Sequence, residues 1–379
     1  MQLKTDATTP ASQSALGLAL LTAAMALPGA DTAQAESAPE RGLISLKYLD
    51  YQDSQRGRDR ISVRAPSLMI MTPLAEVWSV SGTYTVDSVS GASPAYHSQQ
   101  LTKMEDLRRA VDLGMTRYFS QGSLTVGANY SHESDYLSRG ASLQGSISSE
   151  SKNTTLNLGI GVSDDQITPS YGGIHETKKG TDFAIGLTQV ITQQDIAQVN
   201  LGYSHGLGYF SDPYKLADER PRVRNHTTVL ARWNHHFLRT EGTSHVSYRY
   251  YRDSWDIKAH TLTSDYAQPL PQGWTLTPLV RLHTQSAASF YLPTDPATAP
   301  GPTFPAFGAT TYSEDQRLSA FGAVTLGIKV AKQLTPDWQV DLKLERYEQR
   351  AGWSLSGEGD RGLEPFSARS IQFGISRLF

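Results

Sequence analysis

The feature that most constrains this chain is a one-for-one alternation of side chains that recurs in segments of about ten residues. Leu156, Leu158, Ile160 and Val162 alternate with Asn157, Gly159 and Gly161, and Ala197, Val199, Leu201 and Tyr203 with Gln198, Asn200, Gly202 and Ser204. A period of two places the two sets on opposite faces of a strand. Near the end of the chain Trp338, Val340, Leu342 and Leu344 alternate with Gln339, Asp341, Lys343 and Glu345. In a soluble sheet those three charges would enter a core at several kcal/mol each unless paired. A sheet closed around water removes the cost. The pattern calls for an all-β fold, a transmembrane antiparallel up-and-down β-barrel with lipid outside and water inside.

About 16 such segments follow one another from Gly42 onward, joined by connections that alternate short and long. An even count puts both termini on one side, expected to be the periplasm. The second segment, Arg60 to Met71, has Ile61, Val63 and Ala65 on one face, and Pro66 should bring a bulge or irregular pairing because it cannot donate to a ladder. The twelfth lies within Trp255 to Ala267, where two registers fit equally. The fourteenth alternates Leu318, Ala320, Gly322, Val324, Leu326 and Ile328 with Ser319, Thr325 and Lys329. Trp78, Tyr84, Tyr130, Tyr203, Trp233, Trp274 and Trp338 fall near strand ends, where interfacial aromatics belong.

The first 35 residues read as a signal peptide: Lys4 in a polar stretch, an apolar core from Ala15 to Leu27, a Pro28-Gly29 break and small residues at Ala33-Gln34-Ala35. Residues 36–379 then form one barrel domain. The last segment, Ile371 to Phe379, has Ile371, Phe373, Ile375 and Arg377 on the lipid-facing set. Phe373, Ile375 and the terminal Phe379 resemble the assembly signal of Gram-negative outer-membrane barrels. Arg377 is the exception, tolerable at the membrane boundary where it can snorkel. The expected location is the cell outer membrane, with its lipid and the barrel-assembly machinery as partners.

A net charge of −3 offers no basic field for nucleic acid. Absence of cysteine removes disulfides, thiol catalysis and a lipidated N-terminal cysteine. Gly202-Tyr203-Ser204-His205-Gly206 has nucleophile-elbow spacing but no helical period behind it, so no catalytic residue is assigned. Ten histidines show no chelating spacing, and His235 and His236 must point to opposite faces of a strand; no metal or cofactor is expected. The lumen-lining candidates are Asp112, Arg232, Arg249, Arg281, His283, Asp341, Lys343 and Glu345. Arg249 facing Arg232 or Arg281 on neighbouring strands, opposed by Asp112 and Asp341, would set a transverse field across a pore. The same charges could instead rigidify the wall as a cross-strand network.

Glu40 to Tyr51, Val86 to Ala92, Asp212-Pro213-Tyr214-Lys215, the run Tyr248-Arg249-Tyr250-Tyr251-Arg252-Asp253-Ser254-Trp255 and Gln285 to Tyr291 together resemble a bacterial family of outer-membrane proteins of undefined function. That resemblance implies the barrel and the compartment and assigns no active residue. Two functions fit. One is a porin-like channel or transport barrel for small polar solutes; the other is a scaffold or sheath that holds a periplasmic or lipoprotein partner, a redox-active one among them, in its lumen. A barrel-embedded hydrolase would need Ser204 or another serine as nucleophile. The proline-rich connection Gln285 to Asp315 bears on the first two, since folded inward it constricts a pore and standing outward it leaves room for a partner.

Overall fold

A computed structural model describes residues 37–55, 58–92, 103–169, 173–215, 217–294 and 303–379. The signal read at residues 1–35 and His97 lie outside them. The strands are β1 (Leu43–Gln55), β2 (Arg58–Leu74), β3 (Trp78–Ala92), β4 (Lys103–Phe119), β5 (Gly122–His132), β6 (Tyr136–Ser148), β7 (Thr154–Ile167), β8 (Glu176–Val190), β9 (Asp195–Gly208), β10 (Asp218–Glu219), β11 (Val223–Phe237), β12 (Gly242–Asp253), β13 (Lys258–Leu270), β14 (Trp274–Gln285), β15 (Tyr312–Ser313), β16 (Phe321–Gln333), β17 (Trp338–Arg350) and β18 (Phe366–Leu378). All but β10 and β15 form one closed antiparallel barrel of sixteen strands, each paired with the barrel strand before and after it, and β18 closes on β1. The two short strands pair with each other outside that ring. No helix among the described residues is long and apolar enough to cross a membrane.

The alternation read from the sequence is the alternation of the walls. Leu113, Val126, Ile147, Val162 and Leu326 stand outward and exposed, between half and two-thirds of their surface open. A continuous apolar band of this kind is ruinous in water and required in lipid. The inward rows carry hydroxyls that hydrogen-bond across the ladder, Thr116 to Thr125 at 2.8 Å, Ser123 to Ser146 at 2.8 Å and Ser45 to Ser376 at 2.9 Å. Closure leaves no sheet edge.

Short turns and both ends of the barrel domain share one rim. Phe379 and Gly42 exchange backbone hydrogen bonds of 2.8 and 2.9 Å, and Arg41 pairs with Asp337 at 2.6 Å in the neighbouring turn. Gln272 and Gly273, at φ 62° and 76°, take the left-handed conformation that matches a tight hairpin to strand twist. At this rim cations lie over outward aromatics, Arg117 over Trp78, Lys332 over Trp274 and Arg377 over Trp338, at 5.3, 5.0 and 5.3 Å. Arg377 thus sits on the outer face at the boundary, as its place in the alternation requires.

The structure settles some details of the sequence reading and corrects others. Ile61, Val63 and Ala65 are buried and inward, while Leu68 and Ile70 on the other face are exposed. Pro66 stays in register opposite Tyr48, but pairing with β3 lapses between Arg64 and Ser67, the irregular pairing expected there. The register shift lies at Asp53 instead, where its carboxylate accepts a hydrogen bond from the Ile61 backbone N–H at 3.0 Å. The twelfth barrel strand, β13, settles with Ala259, Thr261, Thr263 and Asp265 inward, in register with inward Gln285, His283, Arg281 and Leu279. The fourteenth begins at Phe321, because Leu318 belongs to a 3-10 turn and is buried in a loop core. Several strands also outrun the apolar band: Asp164, Asp165, Lys178 and Lys179, whose polarity alone reads as a loop, pair as β7 and β8. Backbone ladders are indifferent to side-chain polarity, so the strand continues where the lipid face stops.

Candidate functional site: the lumen and its cap

The basic stripe exists, with a geometry set by the ring. Arg232 on β11 and Arg281 on β14 stand in one row, joined through Ser247 and Thr263, and Arg249 on β12 is one step nearer the loops. Arg281 is therefore two strands from Arg249 rather than next to it. The three lean on neutral partners: Arg232 donates to Gln198 Oε1 at 3.4 Å, Arg249 to Thr261 Oγ1 at 3.4 Å and Arg281 to Thr263 Oγ1 at 3.3 Å. His283 shares the row of Arg249 and meets Thr261 Oγ1 at 2.9 Å.

Asp112 on β4 is well opposed. Counting strands round the ring, the one facing β4 is β13, eight steps away and flanked by the strands of Arg249 and Arg281. Asp341 is not opposed: β17 is separated from β14 by β16 alone. Its carboxylate lies 3.8 Å from Lys329, while Lys343 pairs with Glu345 at 2.9 Å on the same strand. That patch is the cross-strand network that the sequence left as an alternative, and of the two carboxylates only Asp112 stands across the ring from the arginines.

Toward the loops an apolar cluster packs against the inner wall. Trp255, Ile257, Ala288, Phe290 and Leu318 form a buried cluster with Phe210, Tyr251 and Tyr291 packed on it. Phe210 and Phe290 meet the Trp255 indole edge-on at 5.6 and 5.3 Å. The cluster is rooted on inward wall residues. Arg224 lies 4.0 Å over Trp255 and binds Asp253 at 2.7 Å; Lys178 lies 5.6 Å from the Phe210 ring and binds Asp165 at 3.1 Å. A Cβ on Gly206 would come within 2.8 Å of the Phe210 ring, so the close approach needs glycine. The connection 286–320 therefore folds inward at its root, while Phe304 and Phe307 further along it are fully exposed. Tyr291 and Thr294 tie it to Asp360 in the 351–365 connection at 2.8 Å each.

A charged clasp locks the cap from above. β10 and β15 pair the 209–222 and 286–320 connections, and Arg220 binds Asp218 and Asp315 at 2.7 Å each. Arg317 binds Asp315 and, at 3.1 Å, Asp212. Burial would push the Asp315 carboxyl up, but the charges of Arg317, Lys215 and Arg220 outweigh it and hold it well below the usual carboxylate range. Across the rim Asp106, Glu133 and Asp135 bring carboxylate oxygens within 4.8 Å of one another. Burial pushes Glu133 up to about 7, so the trio sheds repulsion by keeping a proton near neutrality.

The remaining candidates stand apart from this. Ser204 and His205 face opposite sides, and the Ser204 hydroxyl makes no hydrogen bond, although the ladder sets it between Asp182 and His226. A serine without a hydrogen-bonded base is not activated. His235, His245 and His205 each hold their own partner, Asp195 at 2.7 Å, Asp265 at 2.6 Å and Asn225 at 2.6 Å. The cap cluster escaped sequence reading because its aromatics come from separate loops; the dense Tyr-Arg-Asp-Trp run ending at Trp255 was its one signal.

Comparison with solved structures places the fold. A bacterial polysaccharide outer membrane secretin superposes with a TM-score of 0.51 at 8% identity, over 89% of this chain and 98% of that one. CdiB from Acinetobacter baumannii gives 0.49 at 9% identity, over 87% of this chain and 60% of that one. Pseudomonas aeruginosa OccK2 (OpdF), solved in complex with glucuronate, gives 0.45 at 9% identity, over 91% and 98%. No curated relative matches the chain. The family model for a protein of unknown function, DUF3570, matches residues 17–104, 99–175 and 171–370, and the chain belongs to that family.

Proposed function

We propose that this protein is an outer-membrane channel or transport barrel that passes or binds small polar solutes, with its termini and short turns in the periplasm and its cap facing the cell exterior. The observation that carries this reading is the pairing of a lipid-type outer band with an inner wall on which Arg232, Arg249 and Arg281 face Asp112 across a sixteen-strand ring. A ring of that size encloses more space than its own side chains fill. Opposed charges across it orient dipolar and anionic solutes. The cap supplies a constriction at one mouth, anchored on Arg224 and Lys178. At the other mouth Lys47 and Lys329 remain open to water.

Reconstitution into planar bilayers tests this. Discrete conductance steps with anion preference support it, and a barrel that inserts but carries no current or solute flux counts against it. Co-purification of a stoichiometric periplasmic protein would favour the sheath instead.

A further inference from the structure

Outward positions on a membrane-crossing strand are apolar where lipid chains touch them, and Leu342, Leu344, Ile371 and Phe373 on β17 and β18 follow that rule. Immediately loopward the same faces turn basic. Arg346 stands directly across from Arg369, and Arg350 follows on β17. Like charges opposite one another on neighbouring strands repel. Their partners do not fully offset this: Arg369 donates to Gln52 Oε1, and the single Glu348 carboxylate lies 3.8 Å from Arg346 and 3.5 Å from Arg350.

A cavity of about 440 Å³ opens here, lined by Arg346, Arg350, Ser54, Ser367 and two carboxylates, Glu348 and Glu364, with Arg369 outside the lining but across from Arg346. Ser54 and Ser367 hydrogen-bond to each other at 2.8 Å. Trp353, half-open to the surroundings, lies 4.9 Å from the Arg350 guanidinium. By the alternation of β17, β18 and β1 the cavity is on the outer wall, between the lipid band and the cap. Two arginine forks and paired hydroxyls suit a tetrahedral oxyanion, and the apolar row below suits the chains attached to it.

We propose that this cavity binds the phosphate of an anionic lipid headgroup in the leaflet at the loop end, a site that rests on the membrane-spanning reading. The lipid, rather than free phosphate, is the occupant because Leu344, Ile371 and Phe373 lie directly beneath the arginines and would hold its chains.

The test uses the full barrel folded in nonionic detergent, checked for heat-modifiable migration before any lipid is added. It is titrated with diphosphorylated lipid A, a zwitterionic phospholipid or inorganic phosphate, and bound species are counted by native mass spectrometry. One lipid A is retained by the unaltered protein. Replacing Arg346→Gln and Arg350→Gln together lowers its retention about tenfold, whereas Arg139→Gln, outward on β6 and away from the cavity, leaves it unchanged. Equal retention by the double variant overturns the site. Displacement of lipid A by equimolar inorganic phosphate overturns the lipid as its occupant. A chain that never acquires heat-modifiable migration in detergent sinks the membrane reading, and the site with it.

Discussion

Removing Phe379 tests whether the seam between β1 and β18 is the element that closes the fold. The residue exchanges two backbone hydrogen bonds with Gly42, at 2.8 and 2.9 Å, each contributing about 1 kcal/mol. Its ring covers Gly42 so closely that a Cβ there would fall 2.5 Å from a ring carbon. With half of the side chain covered, about 100 Å² of ring leaves contact, a loss of about 2 kcal/mol. Deletion should therefore cost about 4 kcal/mol. Arg377→Tyr is the comparison: it loses a cation stacked at 5.3 Å on Trp338 and gains a ring pair there. Both terms are about 1 kcal/mol, so they nearly cancel. Urea titration of the folded, heat-modifiable species in detergent reads the stability, and outer-membrane levels in cells read assembly. The deletion should shift both and Arg377→Tyr neither. Gly42→Ala separates the terms, since it displaces the ring and spares the hydrogen bonds. Equal midpoints for the deletion and Arg377→Tyr would refute the reasoning.

Other expectations follow from the lumen and cap. Trp255→Ala empties the site shared by Phe210, Phe290 and Arg224 and should loosen the cap by about 3 kcal/mol or more, read as faster proteolysis within 286–320 while barrel migration is unchanged; unaltered cleavage would count against the cap. Replacing Arg249 and Arg281 with Gln should shift the reversal potential in a salt gradient toward cation preference, and no shift would remove the stripe from selectivity. The Asp315 carboxyl is held below its ordinary 3.8, so its clasp stabilises the cap above that value and the contribution is lost as pH falls through the lower folded one. Hydrogen exchange at 312–318 should therefore rise only below about pH 4, and Asp315→Asn should bring the same rise at neutral pH.

Much of this fold was legible because a barrel writes its two solvents into every strand. Leu156 to Val162 states inside and outside residue by residue, and so does Trp338 to Glu345. What the alternation cannot state is where it ends. Leu318 and Ala320 continue the period by coincidence, while Leu318 packs with Trp255 and Ala288 in the loop core and the strand starts only at Phe321. The reverse error arises at Asp164 and Lys179, where polarity marks the lipid boundary and the ladder runs past it. Positions around the ring are equally hidden. Asp112 opposes the arginines and Asp341 does not, a difference decided by strand order rather than by either residue's neighbours in the chain.

Cap and stripe lie on the same wall, and β12 carries both. Arg249 is four residues from Asp253, which anchors Arg224 beneath Trp255, a rise of roughly 14 Å along the strand. A solute entering from the loop end meets the apolar cluster first and the guanidiniums second. One entering from the turn end reaches the guanidiniums past Lys329, Asp341, Lys343 and Glu345, already among water. In the proposed channel, access and selection are stacked in series on one wall and carried by different chemistry, packing for the first and charge for the second. A change at Trp255 should accordingly alter how often the pathway conducts and leave its ion preference alone, while a change at Arg249 should do the reverse. If each substitution moved both quantities together, the cap and the stripe would be a single element and the channel reading would have to be built on their interface.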